Sequence, residues 1–266
     1  MTSAARARTP RTTRFILTCL GVGLLAGLLS GLFGVGGGTV IVPLLVLILG
    51  FDQRLAAGTS LAAIVPTATV GVISYAVHGS VAWIPAIILA AAAVIGAQIG
   101  TWLLARVSQF VLRWVFIGFL CVVIVSLFLV IPSRDAVLEL TWGSGLALAL
   151  VGLLTGVAAG LIGVGGGIII VPTLILLFGA SDLVAKGTSL LMMIPTAISG
   201  TIGNLRRGNV DLLAAALIGG AACTTTALGA WLATLLNPFA ANMLFAAFLV
   251  FIATQMAFKA LKSRRG

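Results

Sequence analysis

The chain has 266 residues, of which 61 % are hydrophobic and only 8 % are charged. A soluble domain carries roughly a quarter charged residues, so this composition excludes an ordinary water-soluble globule. The formal net charge of +10 does not indicate nucleic-acid binding, because the basic residues stand in short segments between and beside long apolar runs.

These uncharged runs follow one another along the whole chain, and each has about 20 residues or more, the length that a helix needs to cross a bilayer. They lack the two-residue alternation of a barrel strand. Since only helices and closed barrels span lipid, we predict an all-α integral membrane protein. The runs are 15–51, 55–77, 79–105, 114–133, 140–181, 187–205 and 212–258. The basic stretch before the first run resembles a signal peptide, but no small-residue cleavage site follows, so we expect the first run to remain a membrane segment.

The sequence contains two tandem copies of one unit. The stretch GLFGVGGGTVIVP at Gly31–Pro43 recurs as GLIGVGGGIIIVP at Gly160–Pro172, 129 positions later. The same offset relates the GTSL stretches at 58–61 and 187–190, and IVPT at 64–67 to MIPT at 193–196. A constant offset over such a distance indicates a duplication, and we predict two repeats, 1–133 and 134–266.

Each repeat is predicted to hold a helical hairpin with a glycine cluster at its tip, followed by three transmembrane helices. The first hairpin has arms at 15–33 and 38–50, and its helices are 57–77, 81–105 and 110–131. The second hairpin has arms at 144–162 and 167–178, and its helices are 186–204, 211–235 and 240–258. The arm at 38–50 is only about 20 Å long, which favours a re-entrant hairpin over two full crossings joined by a tight turn. The long uncharged run also permits that alternative.

In either form a repeat makes an odd number of net crossings, so the second repeat is predicted to be inverted. With the N-terminus inside, only Arg134 and Lys186 of the 15 basic residues lie outside, in accord with the positive-inside rule. We therefore expect a multi-pass inner-membrane protein with cytoplasmic basic tails at 1–14 and 259–266. Inverted repeats are common in alternating-access transporters, which is an analogy from architecture.

The glycine clusters are the predicted binding site. Each cluster begins a helical arm, where backbone N–H groups lack helical partners and the positive end of the helix dipole lies. Helix N-termini bind anions without a fixed positive charge, and two tips entering from opposite faces can converge on one anion. Close helix packing is the alternative role. The residues are Gly34, Gly36, Gly37, Gly38, Thr39, Gly163, Gly165, Gly166 and Gly167.

Further candidates follow in the next helix of each repeat. Hydroxyl groups expected at its start can cap it or bind a ligand; they belong to Thr59, Ser60, Thr188 and Ser189. Pro66 and Pro195 are expected to kink or unwind this helix and to act as hinges.

Lys186 stands where the first repeat has Ala57. It either attracts the anion or is an interfacial lysine whose ammonium group reaches water. Asn204, Arg207 and His78 are weaker binding candidates, and a role in topology explains Arg207 better.

The acidic residues all lie at the ends of apolar runs or in loops, so we expect no buried carboxylate for proton coupling. No paired carboxylates, metal-type Cys/His spacing or nucleotide-binding loop is present in the sequence. We therefore expect no enzymatic activity, no cofactor, no metal and no nucleic-acid partner. The coupling ion, the direction of transport and the oligomeric state are left open.

Together these motifs resemble the TauE/SafE sulfite exporter family of membrane transport proteins. The resemblance rests on the glycine segments 34–43 and 163–172, the GTSL stretches, and Pro66 and Pro195, and it covers nearly the whole chain apart from the basic tails. It implies a secondary permease for small sulfur-containing or organic anions such as sulfite or a sulfonate. The alternatives are an anion channel with the same backbone site and a membrane scaffold that transports nothing; an intramembrane enzyme is disfavoured by the missing catalytic acids.

Overall fold

The computed structural model describes residues 13–129 and 142–262, and these residues form ten α-helices and no strand. The all-helical prediction is therefore confirmed for this part of the chain. Several basic residues used in the topology argument lie outside the described residues: Arg6, Arg8, Arg11, Arg134, Arg264 and Arg265. The acidic residues Asp135 and Glu139 also lie outside them.

The helices follow the predicted order closely. In the first half they are α1 (Thr13–Phe33), α2 (Gly38–Leu47), α3 (Gln53–Val77), α4 (Trp83–Arg106) and α5 (Gln109–Leu129). In the second half they are α6 (Trp142–Ile162), α7 (Gly167–Phe178), α8 (Asp182–Leu205), α9 (Leu212–Leu235) and α10 (Pro238–Lys262).

Six of the described helices are long and apolar enough to cross a membrane, namely α1, α3, α4, α6, α8 and α9. The described apolar stretches of α5 and α10 are shorter, Gln109–Val122 and Ala246–Phe258. The two arms around the first glycine segment differ in length, since the 21 residues of α1 extend about 32 Å and the 10 residues of α2 about 15 Å. The protein is thus a multi-pass membrane protein in which each glycine segment joins a long helix to a short one.

The helices after the glycine segments begin earlier than predicted. Asp52 accepts a hydrogen bond from the N–H of Leu55 at 2.9 Å, and Ser181 accepts one from the N–H of Val184 at 3.4 Å. Because such side-chain acceptors satisfy the free amides of a first turn, these residues are the N-caps of α3 and α8. The capping role predicted for the later hydroxyl groups is therefore wrong, and all four lie inside the helices: Thr59, Ser60, Thr188 and Ser189.

Both helices remain continuous through Pro66 and Pro195, so the predicted unwound segment is not found in either of them. The threonine after each proline donates its hydroxyl hydrogen to the carbonyl four residues earlier, as Thr67 does to Ala63 at 2.9 Å. These bonds fit the hydroxyl groups into the helix backbone rather than exposing them to a ligand.

Glycine residues bring the two halves of the chain into backbone contact. A Cβ atom added at Gly27 of α1 would lie well under 3.0 Å from the carbonyl oxygen of Ala222 in α9, closer than real Cβ atoms approach. The same is true of Gly156 in α6 and the carbonyl oxygen of Ala93 in α4. Small residues allow such close helix packing in membranes, and here they join α1 to α9 and α4 to α6.

The order of these contacts gives the directions of the helices. Gly23 and Gly31 of α1 face Ile218 and Thr226 of α9 in that order, so α1 and α9 are parallel. By the same reasoning α4 and α6 are parallel to each other. In the central pair, Gly71 of α3 faces Leu190 of α8 whereas Gly200 of α8 faces Leu61 of α3, so α3 and α8 are antiparallel. The central pair also packs on α9 and α4, and α5 packs on α10.

We expect Gly27→Ala to destabilise the protein by about 1–3 kcal/mol, because the new methyl group overpacks the contact between α1 and α9. Thermal unfolding of the purified protein in detergent measures the effect. Gly21→Ala is the matched control, since Gly21 lies on the same helix and its Cβ position has nothing within 4 Å. Equal melting temperatures for the two variants would contradict the packing role.

Candidate functional site

The two glycine segments, 34–38 and 163–167, form the same left-handed turn. In the first segment Gly34, Gly36 and Gly37 have φ angles of 69°, 68° and 77°. The equivalent residues of the second segment have φ angles of 84°, 80° and 91°. Other residues rarely adopt these angles, so the turn needs glycine at these positions. Gly38 and Gly167 then begin α2 and α7, as predicted.

The two segments lie directly against each other. A Cβ atom added at Gly38 would be 2.6 Å from the Cα atom of Val164, and one added at Gly167 would be 2.9 Å from the Cα atom of Val35. Neither position has room for a side chain. The predicted convergence of the two glycine clusters is therefore present in the fold as backbone-to-backbone contact.

This contact lies halfway along the central helices. Gly36 and Gly165 both face the side chains of Ile64 in α3 and Met193 in α8. These two side chains are eleven residues into helices of 25 and 24 residues, and both are fully buried. They fill the space beside the turns, so the glycine segments are closed against each other in this conformation.

The glycine segments carry buried amides without hydrogen-bond partners. The N–H of Gly34 donates to the carbonyl of Ser30 at 2.8 Å, and the N–H of Gly163 donates to that of Ala159 at 2.8 Å. The next amides, of residues 35–39 and 164–168, donate to no acceptor among the residues that the structure describes, and all ten residues are buried. Unpaired buried amides are rare in proteins, and binding of a ligand that accepts their hydrogen bonds is one explanation for them.

Two hydroxyl groups at the same place also lack a partner. Thr39, the second residue of α2, and Ser60, which lies one helical turn before Ile64, are fully buried, and no described group bonds to either Oγ atom. Ser189, the equivalent of Ser60, instead donates to the carbonyl oxygens of Gly34 and Lys186. The hydroxyl group of Ser189 thus ties α8 to the first glycine segment.

Lys186 is buried beside the first glycine segment. Its Cα, Cβ and Cγ atoms lie against Gly34, and its side chain is only 6 % exposed. The Nζ atom is 3.2 Å from an oxygen of Asp182, whose side chain is 2 % exposed. Lys186 therefore does not extend to water as an interfacial lysine, and the expectation that no carboxylate is buried is wrong.

Other predicted residues lie away from the glycine segments. The hydroxyl oxygens of Thr59 and Thr188 accept hydrogen bonds from the N–H groups of Asp211 at 3.0 Å and Ala82 at 2.9 Å. Asp211 and Ala82 begin α9 and α4 as their N-cap residues. Each threonine therefore fastens a helix of the other half of the chain, in equivalent positions.

The side chains of the three weaker candidates make hydrogen bonds to nearby backbone carbonyls. Asn204 donates to the carbonyl of Gly200 at 3.0 Å. Arg207 donates to the carbonyl of Gly203. The His78 ring is exposed, with Nδ1 2.8 Å from the carbonyl oxygen of Ser74. The structure does not bring these three side chains to the glycine segments.

Sequence reasoning missed three residues of this region: Ile64, Met193 and Asp182. Ile64 and Met193 stand at the first position of the repeated IVPT and MIPT stretches, which is the signal that could have found them. Asp182 precedes Lys186 by four residues, the spacing at which side chains meet on a helix.

Comparison with known proteins agrees with the resemblance noted in the sequence. The family model described as Sulfite exporter TauE/SafE matches residues 2–127 and 148–266. A curated Probable membrane transporter protein from Xylella fastidiosa is 31 % identical over 233 residues, 84 % of this chain and 87 % of that protein. Probable membrane transporter protein YdhB from Bacillus subtilis is 28 % identical over 201 residues, 73 % of this chain and 82 % of that protein. No solved structure matches the chain at a significant level.

We expect Thr59→Val and Thr188→Val each to lower the free energy of unfolding by about 1 kcal/mol, because a helix-starting amide loses its acceptor. Thr59→Ser and Thr188→Ser keep the oxygen and serve as controls. Thermal unfolding in detergent measures all four variants. If the valine and serine variants have equal melting temperatures, the hydrogen bonds between the two halves of the chain do not stabilise the fold.

Proposed function

The chain belongs to the TauE/SafE sulfite exporter family of membrane transporters, and on that premise we propose that it is a secondary permease for a small sulfur-containing or organic oxyanion. Sulfite and sulfonates are the substrates we propose, and alternating access is the mechanism. The observation that carries the proposal is the meeting of two glycine segments whose buried amides lack acceptors.

The proposed anion site lies between these two turns. An oxyanion offers several acceptor oxygens, and the segments offer donors without partners: backbone N–H groups at the start of a helix on each side, and the hydroxyl groups of Thr39 and Ser60. Lys186 supplies a positive charge beside the first turn. Donors fixed in a water-poor interior bind an anion more strongly than the same donors in water.

The helix directions support the proposal that the repeats 1–133 and 134–266 are inverted. The equivalent central helices α3 and α8 are antiparallel. Ala63 and Gly71 of α3 face Gly219 and Thr226 of α9 in that order, and α9 is parallel to α1, so α1, α3 and α9 share one direction. With this arrangement both basic tails lie in the cytoplasm of an inner-membrane protein, and each glycine segment enters as a re-entrant hairpin.

Alternating access follows from how the site is closed. Ile64 and Met193 sit on the turns, so an anion enters only when α3 or α8 moves away from the glycine segment of the other half. Bending of α3 or α8 at its proline then opens the site to one face at a time.

Counterflow in proteoliposomes tests the function: labelled sulfite or methanesulfonate should enter faster when the same anion is present inside. Such trans-stimulation is the behaviour of a carrier. Flux without it would indicate an anion channel, and no flux together with no anion-dependent thermal shift would indicate a scaffold. Either of these outcomes overturns the permease.

Thr39→Val and Ser60→Ala test the site more directly. Each removes a buried hydroxyl group that has no partner, so stability should stay equal or rise. The affinity for the anion should fall about tenfold, because one hydrogen bond of about 1.4 kcal/mol is lost from the complex. Anion-dependent thermal shift over a concentration series measures both effects.

The control for these variants is Thr226→Val in α9, whose buried hydroxyl group donates to the carbonyl of Ala222 at 2.7 Å. This variant should not change anion affinity. Unchanged affinity in Thr39→Val and Ser60→Ala would place the anion away from the glycine segments.

We also expect Pro66→Ala and Pro195→Ala to stabilise the protein and to slow counterflow. Alanine restores the N–H that proline lacks in a helix interior, where proline costs about 3 kcal/mol relative to alanine, and the stiffer helix bends less during exchange. Pro85→Ala is the control, because Pro85 is in the first turn of α4, where no helical bond is lost. If Pro66→Ala and Pro195→Ala exchange the anion at the wild-type rate, the two prolines are not hinges.

A further inference from the structure

Thr155 of α6 lies against the second glycine segment. Its Cγ2 atom is 2.6 Å from the position that a Cβ atom would take at Gly166, and its carbonyl oxygen is 3.6 Å from the same position. The residue is only 1 % exposed. The hydroxyl group is attached to the same Cβ atom as Cγ2, so it too lies beside this turn and its unpaired amides.

The hydroxyl group of Thr155 has no hydrogen-bond partner among the described residues. Threonines inside other helices of this protein behave differently. Thr173, Thr196 and Thr226 each donate to the carbonyl four residues earlier, at 2.7 to 2.8 Å. Thr155 makes no such bond to Val151. A buried hydroxyl group without a partner is costly, because it has given up its hydrogen bonds to water, and a ligand that accepts its hydrogen removes this cost.

The first half has no hydroxyl group at the equivalent position. Ala26 of α1 lies against Gly37 as Thr155 lies against Gly166, with the Ala26 Cβ atom 3.2 Å from the Cβ position of the glycine. The long arms α1 and α6 therefore support their own turns in the same way, but only α6 adds a polar group there. Since alanine is sufficient for this packing in the first half, the fold alone does not require the hydroxyl group.

The second turn lacks the two hydroxyl groups that we assign to the first. Ile168 stands at the position equivalent to Thr39. Ser189, the equivalent of Ser60, donates to backbone carbonyls instead. Thr155 therefore offers the second turn a side-chain donor from a different helix.

The packing of α6 fixes the position of this donor. Gly152 and Gly156 bring α6 into backbone contact with α4, since their Cβ positions lie less than 3.0 Å from the carbonyl oxygens of Leu89 and Ala93. Thr155 directly precedes Gly156 and is held by the same contact. A donor that is already fixed binds a ligand at a smaller cost in conformational entropy than a mobile one.

We propose that the Thr155 hydroxyl group is an anion ligand at the second glycine turn, donating to one oxygen of the substrate while the first turn binds the others. The inference rests on the proposed permease function and adds the side chain through which the second half binds the anion. The substrate then bridges the two halves of the chain, and loss of the hydroxyl group weakens binding without loosening the fold.

The test compares Thr155→Val and Thr155→Ser with the wild type, in the full chain and with methanesulfonate as the probe. Valine keeps the shape of the side chain and removes the hydroxyl group. Serine keeps the hydroxyl group and removes the methyl group that contacts Gly166. Anion-dependent thermal shift in detergent measures the affinity, the melting temperature without anion measures the stability, and counterflow in proteoliposomes measures transport.

We expect Thr155→Val to melt at or above the wild-type temperature, because no hydrogen bond is lost from the protein without anion. It should bind methanesulfonate about tenfold more weakly, because one hydrogen bond to the anion is lost. Thr155→Ser should keep the wild-type affinity within about threefold. If Thr155→Val does not fold, Thr155→Ala copies Ala26 of the first half and should show the same loss of affinity.

Thr226→Val is the matched control, because the hydroxyl group of Thr226 is equally buried but donates to the carbonyl of Ala222. This variant should melt below the wild-type temperature and bind methanesulfonate with wild-type affinity. The opposite directions of the two stability changes separate a hydroxyl group that waits for a ligand from one that holds the fold.

Wild-type affinity in Thr155→Val overturns this inference; if Thr39→Val binds more weakly at the same time, the anion rests on the first turn alone and the permease stands. A lower melting temperature of Thr155→Val, or an equal loss of affinity in the valine and serine variants, assigns Thr155 to packing and also overturns its role as a ligand. Absence of counterflow in the wild type overturns the permease for sulfonates, and this inference with it.

Discussion

The contact between the two glycine segments constrains the rest of this molecule. Backbone reaches backbone where Gly38 meets Val164 and Gly167 meets Val35, and this leaves no room for a side chain to supply acceptors to the nearby amides. Buried amides without acceptors are costly. The fold tolerates them because the close packing of α1 on α9 and α4 on α6 holds the two segments together from outside. The proposed site of fixed, unpaired donors is therefore a consequence of how the helices pack.

The two halves keep the same scaffold and differ in the chemistry placed on it. Every described glycine with a positive φ angle has its counterpart 129 positions away, and Thr59 and Thr188 fasten equivalent helix starts. Around the glycine segments the pairs diverge, with Thr39 against Ile168 and Gln53 against Asp182. The proposed duplication explains the shared frame, and divergence at a few buried positions places Lys186 and Asp182 in the second half only.

Much of the fold could be predicted from local features of the sequence. Apolar runs placed the helices within a few residues, and the glycine clusters marked both turns, because length and backbone freedom are local properties. The predicted starts of α3 and α8 are too late, because the sequence alone does not distinguish the N-cap residues Asp52 and Ser181 from polar loop residues. The burial of Asp182, and the closure of the turns by Ile64 and Met193, arise from packing between segments far apart in the chain. Neither segment's own sequence reveals that packing.

The glycine turns that we propose to bind the anion are also the turns that Ile64 and Met193 close. Anion binding is therefore linked to movement of α3 and α8. In the closed conformation Ile64 and Met193 lie against Gly36 and Gly165, and the amides of both turns stay unpaired at a cost in free energy. An anion supplies acceptors to those donors, and that gain offsets the separation of Ile64 and Met193 from the turns. A ligand shifts a conformational equilibrium only by its difference in affinity for the two states. Here the proposed difference arises because only an opened site has room for the anion beside the unpaired amides, so anion binding and opening favour one another.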